Sequence, residues 1–239
     1  MSTLIYDSVK VGPIDVVALS RNGGLSQGVF SSLNLANYVG DNPSQVAQNI
    51  ELAGSCVGTT EICVMQSEHG ARINVVASSG YAPRGDGLVS TTPGLAIVAL
   101  AADCVPFALV DPINLVVAVG HAGWKGVSVN VMQNLVTQFV ASGGQIAHST
   151  AVLGPAICGS CYEVPAIRTA ELSPISPISV IDDRHIDVGA GVRFALAETG
   201  LKTIDLPGCT LEDENLFSYR RANGEPTGRG GLIVSLPSS

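Results

Sequence analysis

Short runs of consecutive apolar residues dominate this chain. Ile14–Leu19, Ile62–Met65, Ile73–Ala77, Leu95–Ala101, Pro106–Val110, Leu115–Val119, Thr150–Leu153 and Leu232–Leu236 are rich in Val, Ile, Leu and Ala, and they read as strands. Strict alternation of apolar and polar positions is rare within them, which predicts strands covered on both faces. Three segments change to a helical period. Val46, Ala47, Ile50, Ala53 and Val57 follow Asn42-Pro43, with Asn42 as the cap and Pro43 in the first turn. Val127, Val131, Leu135 and Phe139 recur on one helical face and stop before Gly143-Gly144, and a third helix runs through Val192, Ala195, Leu196 and Thr199 to Gly200. Strands before, between and after helices predict a mixed α/β (α+β) class. We expect one domain over residues 1–239, with mixed sheets flanked by helices. Strand order does not follow from the pattern.

Composition narrows the function. The chain has 239 residues, 46% apolar and 13% charged, enough to bury a sizeable core. A net charge of −8 disfavours nonspecific DNA or RNA binding, which needs basic surface to neutralise phosphates. A small phosphorylated ligand held by local arginines stays open, and Arg220, Arg221 and Arg229 cluster near the C-terminus. The apolar stretch before Asp103 is too short to span a bilayer, so no membrane role is expected. The first residues lack the basic start and apolar core of a secretory signal, which makes the cytoplasm the expected location. In that setting the six cysteines read as reduced thiols or ligands.

The candidate chemistry gathers beside strand ends. His121 follows Leu115–Gly120 and opens the small-residue turn Ala122-Gly123-Trp124-Lys125-Gly126. Cys104 follows Leu95–Ala101 directly after Asp103, and His69 follows Ile62–Met65. Two imidazoles and one thiolate suit Zn²⁺, and three protein ligands leave a fourth position for water or substrate. The same residues also allow a Cys–His pair with Cys104 as nucleophile, or a buried thiol with hydrogen-bonded core histidines. His148 and His185 lie in polar sequence and read as exposed. Asp86 in Gly85-Asp86-Gly87 and Asp103 are candidate carboxylates, and Asp103 is the stronger because aspartate at a turn is commonly a cap. Cys158-Gly-Ser-Cys161 lacks a second cysteine pair, since Cys56, Cys63 and Cys209 are not spaced as one, so it reads as a structural turn.

Taken together, Gly23-Gly-Leu-Ser-Gln…Ser32-Leu-Asn34-Leu35, Gly40-Asp41-Asn-Pro, Gln66…His69-Gly70, Ala102-Asp103-Cys104-Val-Pro106, His121-Ala-Gly-Trp124-Lys125-Gly126, Gly154-Pro-Ala-Ile…Cys161-Tyr-Glu-Val164 and Phe217-Ser-Tyr-Arg220-Arg221…Thr227-Gly-Arg229 resemble the laccase-domain (YfiH-like) family. The resemblance implies zinc held by His69, Cys104 and His121, with Asp103 beside them in catalysis. Asn34, Lys125, Arg220, Arg221 and Arg229 become the expected substrate-binding residues. It also implies phosphorolysis of purine nucleosides (adenosine, inosine, guanosine and methylthioadenosine) and adenosine deamination, with nucleoside and phosphate as partners. A Cys/His or zinc hydrolase removing L-Ser from a UDP-muramoyl peptidoglycan precursor is the alternative, and a non-enzymatic binding module the third. Three places depart from the family: Gln66-Ser-Glu-His69 is one residue longer than the usual Gln-Val-His, Lys125 stands where Arg is frequent, and Cys158 where Gly is common. Laccase chemistry needs several coppers, each with imidazole ligands, and four histidines cannot furnish them. A single adventitious copper in the zinc pocket is the remaining copper reading.

Overall fold

The apolar runs lie in two six-stranded sheets stacked on one another. A computed structural model describes residues 3–238. Along the described chain come β1 (Ile5–Val11), β2 (Ile14–Leu19), α1 (Pro43–Ser55), β3 (Ile62–Gln66), β4 (Ile73–Val75), β5 (Gly80–Arg84), β6 (Gly87–Ser90), β7 (Ala96–Ala101), β8 (Val105–Asp111), β9 (Val116–Ala122), α2 (Trp124–Ser128), α3 (Val131–Ala141), β10 (Thr150–Leu153), α4 (Ala166–Leu172), α5 (Val188–Glu198), β11 (Lys202–Asp205), α6 (Tyr219–Ala222) and β12 (Gly230–Ser235). The first sheet has the order β1-β2-β12-β7-β3-β5 and the second β11-β10-β8-β9-β6-β4. Both mix parallel and antiparallel pairs: β3 runs parallel to β7, while β8 and β9 form an antiparallel hairpin.

Residue alternation explains the layers. In β9, Val117 and Val119 pack between the sheets against Val16, Ala18, Ile97 and Ala99. Their neighbours Val116 and Ala118 face the other way, onto Leu135 and Phe139 of α3 and Val192 and Leu196 of α5. The outer face of the first sheet puts Val17, Leu19, Val98 and Leu100 under Ala53 of α1 and the segment carrying Leu33 and Leu35. The result is helix, sheet, sheet, helix. Both strand faces are therefore buried, which is why β8 and β9 read as unbroken apolar runs. Each fully buried Val or Leu contributes about 1.5–3 kcal/mol.

Helix boundaries follow local chemistry. The Asn42 side chain accepts hydrogen bonds from the Ser44 and Gln45 amides, and Pro43 opens α1. The single helix expected through Val127–Phe139 is two. Asn130 adopts φ 53°, ends the first piece and caps α3 by accepting from the Gln133 amide. The remaining differences are short or solvent-facing elements: β1, β5 and β11 are sheet edges with exposed polar positions, and α6 has four residues. His121 does not open the turn after its strand. It lies within β9, paired with Pro106, and its amide donates to the Asp86 carbonyl at 2.9 Å.

Candidate metal centre and binding cavity

The C-terminal ends of β3, β7 and β9 meet at the same place. There His69, Cys104 and His121 present nitrogen and sulfur atoms that all lie within 4.8 Å of one another. Cys104 Sγ is 3.9 Å from His69 Nε2, and the two imidazoles meet edge to face with centroids 4.9 Å apart. His69 itself and Asp103, next to Cys104, hold backbone at positive φ, 60° and 97°. Such conformations are costly outside glycine and collect at functional sites. Gly123 allows the closest approach: a Cβ there would stand 2.9 Å from Cys104 Sγ and 3.5 Å from His69 Cδ2.

A single carboxylate orients the His121 imidazole and anchors the backbone that carries His69. Asp86 is fully buried just before β6, and its Oδ1 accepts from His121 Nδ1 at 2.9 Å. The same carboxylate accepts from the backbone amides of His69 (3.0 Å) and Gly70 (2.7 Å). The bond to Nδ1 leaves His121 Nε2 as the nitrogen available to a metal, the arrangement by which a carboxylate fixes a metal-binding histidine. Burial pushes the Asp86 carboxyl upward, but bonds from His121, Gly70 and His69 outweigh it and hold it below the usual carboxylate range. Desolvation likewise raises the Cys104 thiol, yet His121 and His69 bring it down to about 6. For His121 burial pulls downward, and the Cys104 thiolate and Asp86 lift it to about 9. Without a metal, Cys104 and His121 thus form a thiolate–imidazolium pair near neutral pH.

The trio opens onto a cavity of about 390 Å³, within the roughly 300–1,000 Å³ of small-molecule sites. Tyr38, Trp124, Tyr162 and Tyr219 supply aromatic walls, and Arg220 and Arg229 supply the cationic side. The Arg220 guanidinium lies 5.1 Å from the Tyr162 ring centroid, and that of Arg229 lies 5.8 Å from Tyr219. Arg168 stacks on Trp124 at 3.3 Å and backs that wall. A larger groove of about 650 Å³ runs between α3 and α5, but its lining is mostly apolar and offers neither His nor Cys.

Several residues picked from sequence take other places. Asn34 is buried away from the cavity, donating to the Ala36 carbonyl and Asp41 and accepting from the Arg229 amide. It therefore shapes the segment that carries Arg229. Arg221 directs its guanidinium at the carbonyls of Thr210, Leu211, Asp213 and Leu216, so its charge is absorbed by the fold. Lys125 is exposed, with its ammonium beside the Trp124 ring on the outer side. Asp103 lines the cavity, but its two oxygens accept from Thr210 Oγ1 and the Arg220 amide, each at 2.6 Å. It positions Arg220. The carboxylate that addresses an imidazole is Asp86, which sequence ranked second because Gly85-Asp86-Gly87 resembles an ordinary turn. Tyr38, Tyr162 and Tyr219 were not singled out, and aromatic residues near a motif give no sign of the direction they face.

The donor set fits one borderline-soft ion. Three protein ligands of mixed imidazole and thiolate type, with the remaining side open to a cavity, match zinc in a reactive rather than a purely structural setting. They do not fit a set of coppers. Of the four histidines, His148 is exposed far along the chain and His185 pairs with Asp182 at 3.0 Å.

Residues 15–237 match the family model described as multi-copper polyphenol oxidoreductase laccase. A protein named purine nucleoside phosphorylase from Streptomyces coelicolor is 37% identical over 84% of this chain and 87% of its own length. Another, named purine nucleoside phosphorylase YfiH, from Shigella flexneri, is 33% identical over 99% of this chain and 100% of its own. The crystal structure of a Neisseria meningitidis protein superimposes with a TM-score of 0.85 at 28% identity, covering 98% of this chain and 100% of that one. Fold, motif order and relatives therefore agree over nearly the whole sequence, and the chain belongs to the laccase-domain, YfiH-like family.

Proposed function

We propose that this chain is a purine nucleoside phosphorylase whose reaction takes place in the His69–Cys104–His121 cavity. Its substrates are adenosine, inosine, guanosine or methylthioadenosine with inorganic phosphate, and its products the free base and the ribose 1-phosphate (or its methylthio counterpart). The observation that carries this reading is the joining, in one cavity, of a three-donor centre, aromatic walls and two arginines. Relatives named purine nucleoside phosphorylase support it.

The residues divide the task by chemistry. Arg220 and Arg229 fit phosphate by charge and by the fork geometry of the guanidinium. The faces of Tyr38, Trp124, Tyr162 and Tyr219 offer stacking area for a purine. A phosphate oxygen forms a bond to C1′ as the bond from C1′ to the base nitrogen breaks. The electron pair of that bond leaves with the base, which takes up a proton. Holding phosphate and nucleoside side by side supplies the proximity that such a displacement needs, and fixed cationic groups stabilise its developing charge. His69, Cys104 and His121 would hold Zn²⁺, with a single adventitious copper as the competing occupant. A bound ion of this kind supplies Lewis acidity toward a substrate oxygen or nitrogen and makes water more acidic. The second part of that chemistry is the basis for adenosine deamination as a further activity.

The test is chromatography of adenosine incubated with the purified protein, with and without phosphate. Adenine and ribose 1-phosphate formed only with phosphate are expected, and inosine would report deamination. Adenosine surviving in both samples would refute nucleoside chemistry. A Cys–His hydrolase, acting for example on a peptidoglycan precursor, would then lead, favoured by the Cys104 thiol brought down to about 6 beside two histidines.

A further inference from the structure

The Cys158-Gly-Ser-Cys161 motif has the partner that a search for a second cysteine pair overlooks. Cys209-Thr-Leu-Glu212 has the same spacing with a carboxylate in the last position. The fold brings the two together: the sulfurs of Cys158, Cys161 and Cys209 and a carboxylate oxygen of Glu212 all lie within 4.8 Å of one another. Each half is the same tight turn. The Cys158 carbonyl accepts from the amides of Cys161 and Tyr162, both at 3.0 Å. The Cys209 carbonyl accepts from those of Glu212 (3.1 Å) and Asp213 (2.9 Å). The turns are joined edge to edge, because Ala156 bridges Cys209 in parallel register and the Thr210 amide donates to the Ala156 carbonyl at 3.1 Å. The Cys158 amide also donates to Cys209 Sγ at 3.3 Å, as backbone amides do to the thiolates of metal knuckles. Cys161 Sγ and a Glu212 oxygen are 3.5 Å apart.

We propose that Cys158, Cys161, Cys209 and Glu212 form a second metal site, a structural one that takes Zn²⁺ through three thiolates and one carboxylate. Four donors close a tetrahedron and leave no open position, which separates this site from the His69–Cys104–His121 centre. With Zn–S bonds of about 2.3 Å, tetrahedral sulfurs lie about 3.8 Å apart, so the donors need to contract only by roughly half an ångström each. Binding transfers the three thiol protons to solvent, and no oxidant or reductant takes part.

The consequence is mechanical. Tyr162 comes directly after Cys161 and lines the nucleoside-sized cavity. Thr210 comes directly after Cys209 and donates to Asp103, whose other oxygen holds the Arg220 amide. A metal clip between the two turns would fix Tyr162 and Arg220 relative to each other.

The experiment counts zinc in the full-length protein, expressed with added zinc and purified in reducing buffer. The wild type is expected to hold about two ions per chain, and Cys104→Ala about one. In Cys104→Ala the proposed cluster is untouched, so the test does not depend on a cluster variant folding. Zinc-edge X-ray absorption of that variant should show a sulfur-rich shell, and a Cys158→Ser, Cys209→Ser double variant should lose one ion of the wild-type pair. Alkylation of native wild type should spare Cys158, Cys161 and Cys209 until a chelator is added. The proposal is overturned if Cys104→Ala carries no zinc, if its zinc has only nitrogen and oxygen neighbours, or if the freshly purified protein has a disulfide among the three cysteines.

Discussion

The His69–Cys104–His121 centre and the Cys158–Cys161–Cys209–Glu212 cluster are built from similar donors and differ in what surrounds them. The first is mixed nitrogen and sulfur, backed by a fully buried carboxylate, and one side opens to a cavity with aromatic and cationic walls. The second is sulfur and carboxylate, carried on two backbone turns with its cysteines half-buried and Glu212 exposed, and none of its members lines that cavity. The first leaves one side of its donor set open to a substrate. The second offers only donors that close a shell. Position relative to a cavity, more than the number of ligands, separates a reactive centre from a scaffold.

Substitutions can break that contrast from either side. Cys104→Ala has the largest expected effect: phosphorolysis falls to background and the ion of that centre is lost, while the ion of the cysteine turns is kept. Removing Cys158 and Cys209 should lower turnover only in part, through the loosened Tyr162–Arg220 wall, and lower the melting temperature by roughly 2–4 °C for each kcal/mol lost. Similar loss of activity from both would erase the distinction. Next in size is Asp86→Asn, which leaves the shape but alters the bond that orients His121. About 10–100-fold lower metal affinity or activity is expected, and an unchanged enzyme would remove Asp86 from the account. Arg220→Ala should come third. Loss of a charge-assisted contact worth about 1.5–3 kcal/mol raises KM for phosphate by roughly 10–150-fold, with KM for the nucleoside less affected. An equal rise in both would place Arg220 on the purine instead.

The smallest effect is one of pH, in protein stripped of metal. Cys104 is depressed from 9.0 to about 6, so its stabilising contribution is present at higher pH and lost as pH falls through about 6. His121 is raised from 6.5 to about 9, so its contribution is complete below 6.5 and lost as pH rises through about 9. The ion pair therefore belongs to the window between about 6 and about 9. Iodoacetamide should modify Cys104 with a midpoint near the lower limit. A midpoint near that of a free thiol would show that the pair does not form.

Much of this was legible in the chain. The buried strands β8 and β9 announced themselves because a strand covered on both faces must be apolar throughout. Asn42-Pro43 marked the start of α1 because a cap is a local device. The His69–Cys104–His121 trio could be picked out because polar residues of ligand type directly after apolar strands are few. Long-range geometry was less accessible. Asp86 reads as a turn residue until β6 and β9 pair and carry it to His121. Asn34 and Arg221 have the right chemistry for a ligand, but residue type does not say that they point at the fold's own carbonyls and amides. The β1, β5 and β11 edges are half solvated and so lack the apolar signature of the interior. Cys209 pairs with a carboxylate where a thiol was sought, and only the Ala156–Cys209 bridge brings it to the other turn.

Phosphorus NMR of adenosine and phosphate, incubated with wild type and with Cys104→Ala, tests the central claim most directly. A sugar phosphate resonance growing at the expense of inorganic phosphate in the wild type, and absent in the variant, is the expected result. Adenosine consumed with the phosphate signal unchanged, or equal turnover in Cys104→Ala, would contradict phosphorolysis at this centre.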